Sequence, residues 1–383
     1  MVSEVMQSSS SRTPGDALNR GKVRRPPTLK RQEAIMKGTS KTAHAGLSPL
    51  IPAVLAPPEV LTQAPPGFIP PPLNPTGARL ETKELAPGVY GLLSSKPPVD
   101  NSGFVVGEHG VLVIDAHING AMAGLIQTAV RQVTSKPILY VVNTNYHGDH
   151  TFGNYAFPQE TLIVAQQKTA ERMRDFEREK QFLLPTVDND PTVFGDVRLR
   201  LPDVVLDEYL ELDLGGRAVE LHHFGHGNTP GDTVVFVPEA RIAWAGNLIV
   251  GDGSIPFLIE GGAGAYLETM AKFAHTLEVG TIVPGHLALT SGAILDRYLP
   301  YLSELMESVR KAIRAGQNLE EAIAATPLGQ QYTQDIAGSD SPLVAQFVAF
   351  RAGVHRWNVW RTYQGMDGNR TYREPEAAYA EHV

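Results

Sequence analysis

His147, Asp149 and His150 fall within four residues of one another in the run Thr144-Asn145-Tyr146-His147-Gly148-Asp149-His150, just after the apolar stretch 138–142. Imidazole nitrogens and a carboxylate oxygen suit zinc and other first-row divalent ions. A strand that runs into such a turn lets alternate side chains and a loop residue face one point. The plainer alternative is a polar loop that happens to be rich in histidine. A further histidine, His286, follows the short apolar run 281–284 far downstream. The chain has no cysteine, so a metal must rest on His, carboxylate or amide ligands.

These residues need strands and helices to position them. Apolar runs bounded by glycines, at 88–93, 103–107 and 111–115, read as hairpin strands. A helix is expected over 121–133, a buried strand over 138–142, another strand over 162–165, and a charged amphipathic helix over 166–182. Residues 210–214 and 218–224 form a hairpin about Gly215-Gly216, and strands follow at 233–237 and 242–245. Helices at 266–277 and 297–315, then a helical remainder to about 363, complete the pattern. Two β blocks, each with its own helices, predict an α/β fold of the four-layer α/β/β/α sandwich type.

Five motifs, in order from about residue 80 to 290, carry a resemblance. They are Val111-Leu112-Val113-Ile114-Asp115, the run from Asn145 to His150, Gly225-His226-Gly227-Asn228-Thr229-Pro230-Gly231-Asp232, Ile242-Ala243-Trp244-Ala245-Gly246-Asn247, and Ile282-Val283-Pro284-Gly285-His286. The chain resembles the metallo-β-lactamase superfamily, whose signature is His-x-His-x-Asp-His at a strand end. The resemblance implies a metallo-β-lactamase sandwich, here followed by a C-terminal helical extension. In the run 356–363, Trp357, Asn358, Trp360, Arg361 and Tyr363 resemble the extension that buttresses the sandwich or an oligomer interface in bacterial members.

Carried over position by position, the first metal site of the family falls on Asn145, His147 and Asn228, and its bridging carboxylate falls on Asn247. The second site keeps Asp149, His150 and His286. Asparagine carbonyls are weak donors for zinc. Two divalent ions roughly 3.5 Å apart repel by about 20 kcal/mol even at an effective dielectric near 20, and a neutral Asn247 supplies no charge against this. One metal ion or none is therefore expected: zinc, with iron or manganese as alternatives. Asp115 is expected to orient the metal-binding loop from behind the ligands, and Asp232 to fix its own turn. His226 is a candidate substitute ligand or pocket residue, and Tyr146 a candidate pocket wall. Class B2 β-lactamases also carry Asn at the first signature position and use one zinc. They keep a His and a Cys that are absent here, so β-lactam hydrolysis is not implied.

The expected function is hydrolysis of a small ester, amide, lactone or thioester by one metal-bound water, with Asp149 and His147 in the catalytic group. The alternative is a metal-poor member with lyase, isomerase or oxygenase chemistry, or with a ligand- or partner-binding role. Iron dioxygenases of the superfamily use the first site, which is altered here.

Charge is uneven. Residues 1–41 hold nine Lys/Arg and three Asp/Glu, net +6, and the remainder is net −14. An acidic body argues against nucleic-acid binding, and the expected partner is a small molecule, with a homo-oligomer through the C-terminal helices as a further expectation. No apolar run approaches the roughly 20 residues needed to span a bilayer. Arg24-Arg25 and the apolar patch 47–55 offer a weak export signal broken by prolines, so a cytoplasmic location is expected. The division expected is a disordered basic, Pro-rich segment at 1–80, the metallo-β-lactamase-like domain at 81–295, the helical extension at 296–365 and a flexible tail at 366–383.

Overall fold

The structure, a computed structural model, describes residues 70–333 and 342–366, with side chains from 350 in the second span, together with a two-residue strand at Lys22–Val23. The remainder of the 1–80 segment, including Arg24-Arg25 and the patch 47–55, and the tail beyond 366 lie outside the described residues.

The first half builds a seven-stranded sheet in sequence order: β2 (Leu80–Ala86), β3 (Val89–Ser94), β4 (Ser102–Val106), β5 (Val111–Ile114), β6 (Ile138–Val142), β7 (Leu162–Gln166) and β8 (Val204–Leu206). Pairing is antiparallel from β2 to β5 and parallel from β5 to β8. The second sheet runs β1 (Lys22–Val23), β9 (Tyr209–Asp213), β10 (Ala218–His222), β11 (Val234–Val237), β12 (Ile242–Gly246) and β13 (Thr281–Pro284). Its outer pairs, β1 with β9 and β12 with β13, are parallel, and the rest are antiparallel.

Strand periodicity divides the core. Successive side chains of a strand point to opposite faces, so Val111 and Val113 of β5 pack under helix α1 (Gly120–Val133) while Leu112 and Ile114 pack against the other sheet. On β12, Ile242 and Trp244 face that shared core, and Ala243 and Ala245 face the helices α5 (Ala263–Thr276), α6 (Leu295–Arg314) and α8 (Pro342–Met366). Four layers result, α/β/β/α. Trp244 needs room: a Cβ on Gly103 would lie 2.2 Å from its Nε1, which donates to Ser102 O at 3.3 Å and ties the two sheets together.

One expectation changes. The helix expected over 166–182 is two, α3 (Gln167–Arg172) and α4 (Phe176–Leu183), after a four-residue α2 (Gly148–Thr151). The chain turns at Met173–Asp175, which lets α3 lie along β7 and β8 while α4 reaches back to α2. Ahead of β2, Leu73 is buried among Val187, Phe194 and Val197, and its N–H donates to Thr186 O at 2.7 Å. Apolar burial outweighs the proline-rich composition there.

The C-terminal extension braces the fold internally. Trp357 Nε1 donates to Leu258 O (2.7 Å), Asn358 Nδ2 to Pro256 O (2.7 Å) and Tyr301 Oη (2.9 Å), and Arg361 Nη2 to Ile259 O. Asn358 Oδ1 accepts from Leu258 N (3.0 Å). These bonds spend the polar edges of α8 on the loop 256–260. Between α6 and α8, α7 (Leu319–Ala325) begins with a capping box of Asn318 and Glu321. No helix among the described residues is long and apolar enough to cross a membrane.

Candidate metal centre

The site sits where β5, β6, β12 and β13 end. Asp115, just past β5, adopts a left-handed backbone (φ 59°), and its carboxylate gathers three groups: Oδ1 accepts from Thr144 N (2.8 Å), and Oδ2 from Thr144 Oγ1 (2.7 Å) and His150 Nδ1 (2.8 Å). Behind the turn, Asn143 and Asn154 exchange side-chain hydrogen bonds of 3.1 and 2.8 Å. Gly246, at φ 49°, brings β12 so close that a Cβ there would lie 2.2 Å from Thr144 Oγ1. Asn247 is thereby delivered to the histidines.

Four buried side chains converge: Asp100, Asp149, His150 and His286, whose ligand-type atoms all lie within 4.8 Å of one another. The outer ring nitrogens are already engaged, His150 Nδ1 by Asp115 and His286 Nδ1 by Pro98 O at 2.9 Å. Both inner Nε2 atoms therefore turn to one point, which Asn247 Oδ1 meets at 2.9 Å from His150 and 2.6 Å from His286. Asp100 Oδ1 stands 3.1 Å from His286 Nδ1 and 3.7 Å from His150 Nε2, and Asp149 Oδ2 stands 3.9 Å from His286 Nε2. Asp149 Oδ1 is buried with no hydrogen-bond partner.

Charge makes this cluster unusual for a protein interior. Burial, then the charge of Asp149, pushes the Asp100 carboxyl up to about 7, against the pull of His286 and His150. Burial also opposes ionisation of Asp149, but His150, His286 and His147 outweigh it and hold its pKa below the usual range. For His150 and His286, burial disfavours the charged ring, yet the surrounding carboxylates win and raise both pKa values. Two carboxylates and two imidazoles facing a common point are a donor set for one divalent cation, which relieves the carboxylate repulsion. The residues present fit such an ion.

Asp100 was not legible as a ligand, since an acidic residue after Pro97-Pro98-Val99 and before Asn101-Ser102 reads as an ordinary turn. In the fold, Asn101 anchors that turn across to the second sheet, donating to Pro284 O (3.0 Å) and Leu287 O (2.8 Å). His117 braces it too, with Nε2 3.0 Å from Asp100 O.

The structure places the other candidates outside this group. His147, expected among the ligands, has Nδ1 2.9 Å from Glu179 Oε1, which also accepts from Gly148 N at 3.1 Å. The carboxylate can only accept, so Nδ1 carries the proton and Nε2, buried and without a hydrogen-bond partner, is the atom left over. Burial lowers the His147 pKa, but Glu179 more than offsets it and the net shift is upward. Asn145 Oδ1 is spent on His147 N (2.9 Å), and the residue is not on the cavity wall, unlike Asn228 and Asn247. Tyr146 borders the cavity and donates from Oη to Glu260 Oε1 at 2.5 Å. His226 is buried away from the cavity wall. Asp232 closes its own turn, accepting from Thr229 N (3.0 Å) and Oγ1 (2.6 Å).

Two expected outcomes follow from these environments. Asp115→Asn removes the acceptor that orients His150, so metal affinity falls about 10- to 100-fold, read by competition with a chromophoric chelator; unchanged affinity would refute the orienting role. His226 is held down to about 3 by burial first and then by Lys168, His223 and other cations. Its contribution to stability is full above the unfolded value of 6.5 and is lost as pH falls below it, at most about 1.4 kcal/mol per pH unit. Urea unfolding at pH 7.5 and 5.0 should show His226→Asn losing about 2 kcal/mol less than wild type over that interval. Parallel losses in both proteins would rule His226 out as the source.

A cavity of about 760 Å³ opens onto the cluster, bordered at its floor by Asp149, His286, Asn228, Asn247 and His147, and above by apolar side chains that include Phe182, Phe257 and Trp357. Pro70–Pro72 close one side. The arrangement can bind a mostly apolar small molecule over a cation-binding floor.

Among solved structures similar to this chain is a metallo-beta-lactamase from Pontibacter korlensis, 17% identical over 59% of this chain and 99% of that one, with a TM-score of 0.47. Another, from Erythrobacter litoralis, holds beta-mercaptoethanol in its active site and is 19% identical over 59% of this chain and 97% of that one, with a TM-score of 0.47. The DIM-1 metallo-beta-lactamase is 15% identical, over 59% and 97% respectively, with a TM-score of 0.45. The sequence model of the metallo-beta-lactamase superfamily matches residues 97–286. Because that stretch carries every motif from Asp115 to His286 and both carboxylates of the cluster, the chain belongs to the metallo-beta-lactamase superfamily.

Proposed function

We propose that the protein is a hydrolase of an ester, amide, lactone or thioester that works with one divalent metal ion, zinc in the first instance, with iron or manganese as alternatives. The observation that carries this reading is the buried convergence of Asp100, Asp149, His150 and His286, of which Asp149 and His286 border the cavity. Two carboxylates balance a +2 ion. A second ion would find a poorer donor set: of the residues at the first-site positions only His147 offers an imidazole nitrogen, Nε2, while Asn145 Oδ1 accepts from the His147 backbone. Asn228 Nδ2 is bound to Phe257 O, and Asn247 is neutral.

The ion, when bound, polarises the scissile carbonyl and makes a water more acidic. The chain supplies the rest. Asp149, whose Oδ1 is unpaired and which borders the cavity, would take a proton from the attacking water. His147 is fixed in orientation by Glu179, and its Nε2 remains for the substrate. The apolar walls and the buried floor keep bulk water away, which strengthens every charge interaction there.

A second reading rests on Asn247. Its Oδ1 accepts from both His150 and His286, so the cluster satisfies part of its own hydrogen bonding without an ion; a metal-poor chain would then bind a ligand or run non-hydrolytic chemistry. Elemental analysis of protein purified without added metal, followed by a panel of ester, lactone and thioester substrates, separates the two. One ion per chain with turnover supports the hydrolase. Two tightly held ions would overturn the single-ion assignment, and a metal-free chain with no turnover would leave the second reading.

A further inference from the structure

We propose that the position of the lost first metal site is now a recognition site for a hydroxyl group on an otherwise apolar substrate. This rests on the hydrolase reading for the bond that is cleaved, but not for the binding itself. The body of the cavity is apolar, with Phe182, Val250, Phe257, Ile259, Leu287 and Trp357 on its walls. Its volume of about 760 Å³ is in the range that takes a drug-sized molecule. An apolar chain or ring of some ten or more carbons fits such walls better than a small polar substrate.

Two polar atoms on the floor have no use in the metal cluster. Asn228 is almost fully buried, and its Nδ2 donates to Phe257 O at 2.7 Å. Because that partner is a carbonyl, the amide cannot turn over, and Oδ1 is left as a buried acceptor with no hydrogen-bond partner. His147 is held by Glu179 through Nδ1, and its ring packs between Tyr146 (4.4 Å between centroids) and Phe182 (5.5 Å). Its Nε2 is likewise buried and unpartnered. Both residues border the cavity.

Leaving a buried acceptor unpaired when a ligand displaces solvent is costly. A site with such an acceptor discriminates strongly against the analogue that lacks the matching donor. Asn228 Oδ1 accepts and cannot donate, so the group it favours must carry a proton on oxygen or nitrogen. A hydroxyl close to the scissile carbonyl satisfies this, and Asn228, His147 and Asp149 border the same cavity.

The test uses a pair of ketones that cannot be hydrolysed, 2-undecanone and 4-hydroxy-2-undecanone, titrated calorimetrically into the whole protein. The hydroxyketone is expected to bind about 10-fold tighter or more, and Asn228→Leu to bring the ratio near 1. Equal affinities in the wild-type protein, failure of both ketones to bind, or a ratio that survives Asn228→Leu would each overturn the proposal. The wild-type comparison decides even if the variant does not fold. Turnover of p-nitrophenyl decanoate and its 3-hydroxy analogue keeps the two readings apart. Hydroxyketone preference without turnover of either ester retains the recognition site and removes the hydrolase, whereas equal turnover with equal ketone binding does the reverse.

Discussion

Asp100→Asn is expected to weaken retention of the metal ion by about 10²- to 10³-fold, roughly one ligand's share of the free energy with which four-ligand sites hold zinc. Activity at limiting metal should fall with it. The reason is charge as well as ligand count. Asp100 and Asp149 are both buried and face the same two histidines, so the pair balances a +2 ion and either carboxylate alone does not. In chelator the sign changes: the variant loses the repulsion that pushes Asp100 up to about 7, and should melt no lower than wild type. Metal content after dialysis and thermal melts in chelator read the two effects separately. A variant that holds one ion as tightly as the parent would remove Asp100 from the centre. Since the hydrogen bonds of Asn101 and His117 run to backbone carbonyls, and His117 Nδ1 stands 3.9 Å from the Asp100 carboxylate, the substitution should leave the turn in place.

Trp357→Ala is expected to cost about 3–5 kcal/mol of stability, the range for deleting a large buried aromatic. The indole is buried, packs edge-on against Phe257 (5.6 Å) and Trp360 (5.4 Å), and donates to Leu258 O. Its loss leaves a void and an unpaired carbonyl at once. The loop it supports carries Phe257, Ile259 and Glu260 on the cavity wall, so substrate affinity should fall along with stability. Denaturant unfolding and a saturation curve on any accepted substrate measure both. A loss below about 1 kcal/mol would show that α8 lies on the loop without bracing it.

Much of this protein was legible along the chain. Asp149 and His150 sit one residue apart on a turn that follows a strand, and local spacing suffices to bring them together. The strand pattern gave the two sheets, because alternation along β5 or β12 decides which side chains meet which layer. The altered positions Asn145, Asn228 and Asn247 were legible through the resemblance, and a neutral bridge argues against two ions whatever the detailed geometry.

The part that was hidden depends on partners distant in sequence. That Glu179, from the second of two helices where one was expected, holds His147 through Nδ1 and leaves Nε2 over could not be read from the chain. Asp100 joins the site because Asn101 fixes its turn to residues 284 and 287, far along the chain. Residues 70–79 looked like linker until Leu73 found a buried place.

The sequence by itself determined the layered α/β architecture, the absence of thiolate ligands and the identity of three of the four converging side chains. Those properties follow from local periodicity and residue chemistry. Only the tertiary structure decided that Asp100 joins the cluster, that Glu179 fixes His147 through Nδ1 and that Asn228 keeps an unpaired acceptor beside an apolar cavity. Each of these turns on which atom meets which across long stretches of chain, and burial, by making every unpaired charge or acceptor costly, gives those meetings their chemical meaning.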